Sequence, residues 1–141
     1  MNRDCIFCRI IEGSADRSLV CEDAHAVAFM DLGQINPGHV LIVPRRHAAE
    51  LVDLSEEEAA ATFGMVHRVA CAVKRSGLRC EGYNVWQSNG TVAGQDVFHV
   101  HFHVLPRFPG DALRISVAPD RPMHGRADLD AFAGAIAAQL D

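Results

Sequence analysis

His99-Val100-His101-Phe102-His103-Val104-Leu105 is the stretch whose reading decides this chain. As a β-strand, the run points successive side chains to opposite faces. His99, His101 and His103 then share one face, while Val100, Phe102 and Val104 share the other. Val and Phe favour strands and make a core face. The pattern therefore predicts a row of imidazoles displayed by a strand whose back is buried. Pro106 is expected to end the run, because proline cannot donate to a ladder. Scattered surface histidines, or a cloning tag, would not alternate with Val and Phe in this way.

Neighbouring imidazoles on such a strand sit roughly 6–7 Å apart, and the outer pair roughly 13 Å apart. Zinc holds nitrogens at about 2.0–2.1 Å, so one straight strand offers it two ligands more comfortably than three. The row suits an extended anion such as a phosphate chain. With an ordinary pKa of about 6.5, imidazole serves near neutrality as a neutral nucleophile or a cationic donor.

Outward from this stretch, the 141 residues suggest one domain, residues 1–141. A chain of this size buries roughly two-thirds of its unfolded surface and needs no disulfide staples. Its 49% hydrophobic and 22% charged residues are those of an ordinary globule. The net charge of −5 argues against a nucleic acid polymer or an anionic membrane as partner. The first residues, Met1 to Cys5, open no secretory apolar region, and no apolar run is long enough to span a membrane. A cytoplasmic location is expected. Five cysteines then point to free thiols or metal ligands and not to a disulfide framework.

Cys5-Ile6-Phe7-Cys8-Arg9-Ile10-Ile11 reads as a short amphipathic helix, which Gly13 breaks. Its Cys-x-x-Cys spacing serves zinc or redox chemistry, and free thiols remain the plain alternative. Zinc would need two more ligands from histidines downstream. Leu19–Cys21 and Ala26–Met30 form a hairpin candidate, with Asp31 at the strand end and Phe29 and Leu32 beside it. Pro37-Gly38-His39 turns into Val40-Leu41-Ile42-Val43-Pro44, a continuous apolar run that suggests a strand buried on both faces. Arg45 and Arg46, just before His47, read as solvated. Ser55 and Glu58 make a capping box for a helix running to about Ser76, roughly 30 Å long. Ala59, Phe63, Val66, Ala70 and Val73 should face the sheet. Gly82–Ser88 is a further strand. The glycine-bearing loop 89–96 leads into the histidine run, and its Asn89 and Gln95 are amides able to donate to phosphate. Beyond Arg107, Leu113–Val117 is a possible strand and Asp128–Leu140 a helix.

These blocks resemble one family. His99 to Leu105 matches the histidine triad (HIT) signature, His-x-His-x-His-x-x with apolar x. Gly38-His39-Val40-Leu41-Ile42-Val43-Pro44-Arg45-Arg46-His47 is similar to a second HIT block, and the stretch from Asn89 to Gln95 to a third. The likeness covers about residues 4–107 and leaves 108–141 as a C-terminal extension.

The resemblance implies a function and a set of roles. His101, the middle histidine, would be the nucleophile, with His103 and His39 as its catalytic companions. Asp31 would hold the ribose hydroxyls of a purine nucleotide, and Ile6, Phe7, Phe29 and Leu32 its base. Asn89, Gln95 and Asp96 would lie at the phosphate. Asp96 stands where many members carry Ser or Thr, and an ionised carboxylate accepts but does not donate. Members with an N-terminal Cys-x-x-Cys carry structural zinc, which here implies the ligands Cys5, Cys8, His47 and His99. A homodimer with a continuous sheet is implied too.

The expected fold is α+β, an antiparallel sheet of about five strands under one long helix, with short N- and C-terminal helices. The expected function is hydrolysis or nucleotidyl transfer at the α-phosphate of dinucleoside polyphosphates or nucleoside phosphoramidates, through a nucleotidyl-histidine and with no catalytic metal. Two other readings stay open. A nucleotide sensor with little turnover would show no burst kinetics, and a hydrolase using metal at the histidine row would lose activity in chelator.

Overall fold

Every residue of Val40–Pro44 is buried, so this strand has to be covered on both faces. The computed structural model, which describes residues 2–140, shows how. The elements in chain order are α1 (Ile6–Glu12), β1 (Leu19–Glu22), β2 (Ala26–Met30), β3 (Val40–Pro44), α2 (Glu56–Arg75), β4 (Gly82–Gln87), β5 (Phe102–Arg107) and α3 (Arg126–Ala137). The strands form one antiparallel five-stranded sheet in the order β1-β2-β3-β5-β4. The fold is the expected α+β arrangement.

The period of the strands divides the core in two. Ala26, Ala28, Val40, Ile42, Val100, Phe102 and Val104 pack with Met65, Val66, Val69, Ala70 and Val73 of α2. On the other face, Val27, Phe29, Leu41 and Val43 pack with Cys5, Phe7, Cys8, Ile10 and Ile11 of the N-terminal segment. The histidine run behaves as its alternation requires, with its apolar members under α2. The capping box forms as expected: Ser55 accepts from the Glu58 N–H, and the Glu58 carboxylate from the Ser55 N–H.

Several expectations are corrected. The ladder of β5 begins at Phe102 and not at His99. Ile42 pairs with Phe102, so Pro44 would stand opposite Val100. Pro44 has no N–H to offer, and its carbonyl accepts the His99 Nε2–H at 2.9 Å. Val100 N–H turns instead to the Ala48 carbonyl. Pro106 does not end the strand. It pairs with Tyr83 of β4, and it lies beyond Val104, the last residue paired to β3, so its missing donor breaks no ladder on that side.

Phe63 does not face the sheet; it is half exposed and touches only the edge of Phe102, while Thr62 and Met65 take the buried positions. Arg45 and Arg46 are not simply solvated. Arg45 donates to Glu22 and the Asp23 carbonyl, and Arg46 to Glu58 and the Asp53 carbonyl, tying the end of β3 to its neighbours. Leu113–Val117 forms no strand. The C-terminal helix spans Arg126–Ala137, starting earlier than Asp128, and buries none of its residues.

Gly38 positions the second histidine of the site. Its φ is +97°, and a Cβ there would meet Leu78 Cδ1 at 2.9 Å and Pro106 Cγ at 3.0 Å. A left-handed non-glycine residue costs about 1–2 kcal/mol before any clash. Gly38→Ala should therefore lower unfolding free energy by at least about 1 kcal/mol in a urea titration, with m unchanged.

Candidate functional site

The second sheet face carries a pocket of about 380 Å³. Phe7 and Ile10 of α1, Phe29 of β2 and Leu41 of β3 form its apolar floor and wall, with Ile6 and Leu32 at the exposed rim. His101, His103, Asp31 and Asp96 supply chemistry at one end. Phe7 stands edge-on to Phe29, with ring centroids 5.7 Å apart, and to His101 at 5.2 Å. One aromatic ring thus anchors both the apolar slot and the middle histidine.

Hydrogen bonds decide which imidazole nitrogens are free. His101 Nδ1 lies 2.8 Å from the His99 carbonyl. A carbonyl only accepts, so Nδ1 carries the proton and Nε2 keeps a lone pair. His39 Nε2 lies 2.9 Å from His103 Nδ1. When His39 donates in this bond, the His103 proton sits on Nε2. His39 is buried, and its Nδ1 has no hydrogen-bond partner, standing 3.5 Å from Asp31 Oδ2. Burial lowers the pKa of His103 to about 4, with His101 and His39 adding to the effect. Burial also lowers His39, partly offset by Asp31. Both are therefore neutral near pH 7. Asp96 Oδ1 stands 3.8 Å from His101 Nε2 on a largely exposed side chain.

The Gln95 amide is committed inside its loop and is not free to serve a phosphate, whereas Asn89 keeps one Nδ2–H uncommitted. Gln95 is buried, and its amide donates to the Ala49 and Val97 carbonyls while accepting from the Gly90 N–H. Asn89 accepts from the Leu51 N–H and donates to Gln87. Neither lines the pocket. They hold the loop in shape from inside, a role that composition alone does not distinguish from phosphate binding.

The sequence reading missed Arg17, Ile10, Leu41 and Trp86. Ile10 follows Phe7 by three residues, so helical periodicity could have found it. Leu41 pairs with Phe29 and His103, and Trp86 lies tilted beside His103, ring centroids 5.3 Å apart, across the β4–β5 ladder. Their placement depends on strand register.

His99 turns away from the other two histidines, toward Cys5, Cys8 and His47. Cys5 Sγ is 3.5 Å and Cys8 Sγ 3.7 Å from His99 Nδ1, and Cys8 Sγ is 3.4 Å from His47 Nδ1. All four ligand atoms lie within 4.8 Å of one another. A tetrahedral ion with sulfur at about 2.3 Å and nitrogen at about 2.0–2.1 Å puts S and N about 3.5 Å apart. The donor set fits a metal. The His99 Nε2–H bond to Pro44 leaves Nδ1 as the ligating lone pair. Burial lowers the pKa of His99 to about 4, keeping it neutral, while burial raises the Cys8 thiol and Cys5 adds to the rise. A cation between the thiols reverses that rise, since coordination favours thiolate.

A HIT domain model matches residues 12–110. The chain belongs to the HIT family. It is 41% identical over 107 residues to an uncharacterised HIT-like protein of Methanocaldococcus jannaschii, covering 76% of this chain and 81% of that one. It is 40% identical over 103 residues to adenosine 5′-monophosphoramidase of Schizosaccharomyces pombe, covering 73% of this chain and 74% of that one. Among solved structures, a HIT family protein of Bacillus anthracis superposes with a TM-score of 0.92 at 34% identity, covering all of both chains. A histidine triad nucleotide-binding protein of Candida albicans gives 0.82 at 30% identity, covering 96% of each chain. A zinc-bound histidine triad protein of Mycobacterium smegmatis gives 0.74 at 36% identity, covering 96% of this chain and 97% of that one.

Partly buried His103 of this HIT protein links folding to pH. Burial gives it a folded pKa of about 4 against an ordinary value of 6.5. Between these limits the unfolded chain binds more protons, so stability rises with pH. Its contribution is complete above pH 6.5 and is lost as pH falls toward 4. The urea midpoint should drop across that window, and a His103→Gln variant should drop less steeply.

Proposed function

We propose that this chain is a nucleotide-binding hydrolase, or nucleotidyl transferase, that works through a covalent intermediate on His101. The observation that carries the reading is the lone pair on His101 Nε2, held by the Nδ1–H bond to the His99 carbonyl and lining a pocket with an apolar floor. A flat base fits over Phe7, Phe29 and Leu41, with Ile6 and Leu32 at the rim. Asp31, at the end of β2, accepts from ribose hydroxyls.

His101 Nε2 attacks the α-phosphorus, a P–N bond to His101 forms, and the bond to the leaving group breaks. His103 Nε2–H, backed by His39, hydrogen-bonds a phosphate oxygen, and the departing atom takes its proton from solvent. A water then attacks phosphorus and gives its proton to solvent, the P–N bond to His101 breaks, and the mononucleotide leaves with His101 restored. The effects at work are positioning, electrostatic stabilisation and nucleophilic catalysis. Both P–O–P and P–N bonds are open to this chemistry. Asp96 favours the second, because a carboxylate beside the reaction centre repels a polyphosphate leaving group and tolerates an amine. The resemblance to a monophosphoramidase agrees with that reading.

The test uses adenosine and guanosine 5′-phosphoramidates beside a dinucleoside polyphosphate. Acid-quenched wild type should yield a nucleotidyl adduct at His101 by mass spectrometry. His101→Ala should lose at least about a thousandfold in kcat while still binding mononucleotide. Retention of a tenth of wild-type kcat would remove His101 as nucleophile. A nucleotide sensor would bind but show neither adduct nor burst.

Zinc is the metal that Cys5, Cys8, His47 and His99 would hold, as a closed Cys₂His₂ structural site. Bound there, it supplies no reagent; it pins α1, with Ile6 and Phe7, to the strand entry that carries His101. Cys8→Ser should lose near one zinc per chain and lower the melting temperature by several degrees, as about 1–3 kcal/mol of stability is lost. Zinc near zero in fully reduced protein, with none taken up on addition, would contradict the assignment.

A homodimer belongs to the same proposal. Strand β4 ends the sheet with Tyr83 and Val85 exposed, and α3 exposes Leu129, Phe132 and Ile136. A second copy would cover such surface.

A further inference from the structure

His39 and His103 share one short bond, with His39 Nε2 2.9 Å from His103 Nδ1. One proton lies in that bond and both rings are neutral, so the pair has two arrangements. If His39 donates, its Nδ1 is bare and His103 carries its proton on Nε2. If His103 donates, His39 carries its proton on Nδ1 and His103 Nε2 is bare. Only the first arrangement lets His103 donate to a phosphate oxygen.

The surroundings of His39 Nδ1 bear on the choice. The atom is buried, so no ligand reaches it, and among the described residues it completes no hydrogen bond. Asp31 Oδ2 stands 3.5 Å away. Burial lowers the pKa of His39, while Asp31 and then the Gly33 backbone raise it, as proton acceptors do. A bare Nδ1 would set a lone pair against a carboxylate, whereas an Nδ1–H meets an acceptor. The other charged groups at the pair, His101 and Asp96, act on His103.

We propose that Asp31 is a positioning residue for His103: in the free protein it holds the His39 proton on Nδ1, and the ribose hydroxyls of a bound nucleotide loosen that hold. Asp31 is partly exposed and lines the pocket, and its Oδ1 already accepts the Gly33 N–H at 2.8 Å. Hydroxyls that donate to the carboxylate draw on the charge that His39 depends on. The Nδ1 proton of His39 then leaves through Asp31 to solvent. The shared proton passes from His103 Nδ1 to His39 Nε2, and His103 Nε2 takes a proton from solvent. The pair holds two protons before and after, and His103 has become a donor. This coupling of ribose to phosphate rests on the nucleotide reading above and deepens it. The resting arrangement of the free protein does not depend on that reading.

Asp31→Asn should reverse the resting arrangement. The Gly33 N–H requires an oxygen at the Oδ1 position, which sets the new amide NH₂ at the Oδ2 position, donating to a bare His39 Nδ1. Imidazole nitrogen–proton NMR correlation spectra of the full chain without nucleotide, assigned with His39→Gln and His103→Gln, read the tautomers directly. Wild type should carry the proton of both rings on Nδ1, and Asp31→Asn on Nε2. A His103 proton on Nε2 in wild type, or on Nδ1 in Asp31→Asn, would overturn the role of Asp31.

The coupling is tested with a nucleoside 5′-phosphoramidate and its 2′,3′-dideoxy analogue. In wild type the analogue should lose about tenfold in kcat, the worth of one charge-assisted hydrogen bond, besides any change in KM. In Asp31→Asn the two kcat values should agree within about twofold, since no carboxylate is left to relieve. A wild-type loss confined to KM, or a kcat loss that persists in Asp31→Asn, would overturn the coupling and leave the nucleotide reading intact. If wild type turns over neither compound, the nucleotide reading falls and the coupling with it. Should Asp31→Asn fail to fold, the wild-type spectrum and the wild-type kcat comparison can each refute the proposal.

Discussion

Burial of Val100, Phe102 and Val104 beneath α2 is the constraint on which the rest depends. Once those side chains are committed to the helix side, the alternation of an extended chain sends His99, His101 and His103 to the other. A register slip of one residue would turn the imidazoles into the α2 core and the apolar set toward α1 and the pocket. The helix is held in turn by its capping box and by Met65, Val66, Val69, Ala70 and Val73. Core packing and site geometry are thus one decision, made by period two in the strand and by helical spacing in α2.

The three histidines share a face without sharing a task. Pro44 is the reason. Its missing N–H stops the β3 ladder, and its carbonyl draws the Nε2–H of His99. The entry to the strand bends toward the Cys5–Cys8 helix, and His99 joins the metal-competent cluster. His101, two residues on, donates its Nδ1–H to the His99 carbonyl, so its Nε2 lone pair is oriented by the same backbone. His103 stacks against His39 and works from within a neutral pair. Phe7 touches His99 and His101 at once, so α1 couples the cluster to the pocket.

Polar residues outside this centre do supporting work that their types do not disclose. Gln95 and Asn89 brace a loop. Asp111 is buried against Arg107 and Asn36, whose amide also donates to the Pro106 carbonyl, so the exit of β5 is held as firmly as its entry. A hydrogen-bonding side chain in a glycine-bearing loop satisfies backbone groups first, because an unmade buried bond is costly.

Much of this protein was legible in its sequence. Alternation, the capping box and the buried run Val40–Pro44 are local signals, and they sufficed for the sheet, the long helix and the face on which His101 and His103 lie. The Cys-x-x-Cys motif, with the family resemblance, pointed to the Cys5, Cys8, His47 and His99 cluster. Long-range register was not legible. It alone brought Leu41 to the pocket and Trp86 beside His103, engaged Gln95 inside its loop, and started β5 at Phe102 instead of His99. Spacing along a chain specifies which face a residue takes. Which partner it meets there depends on how strands align, and that alignment is set by the packing of residues far apart in sequence.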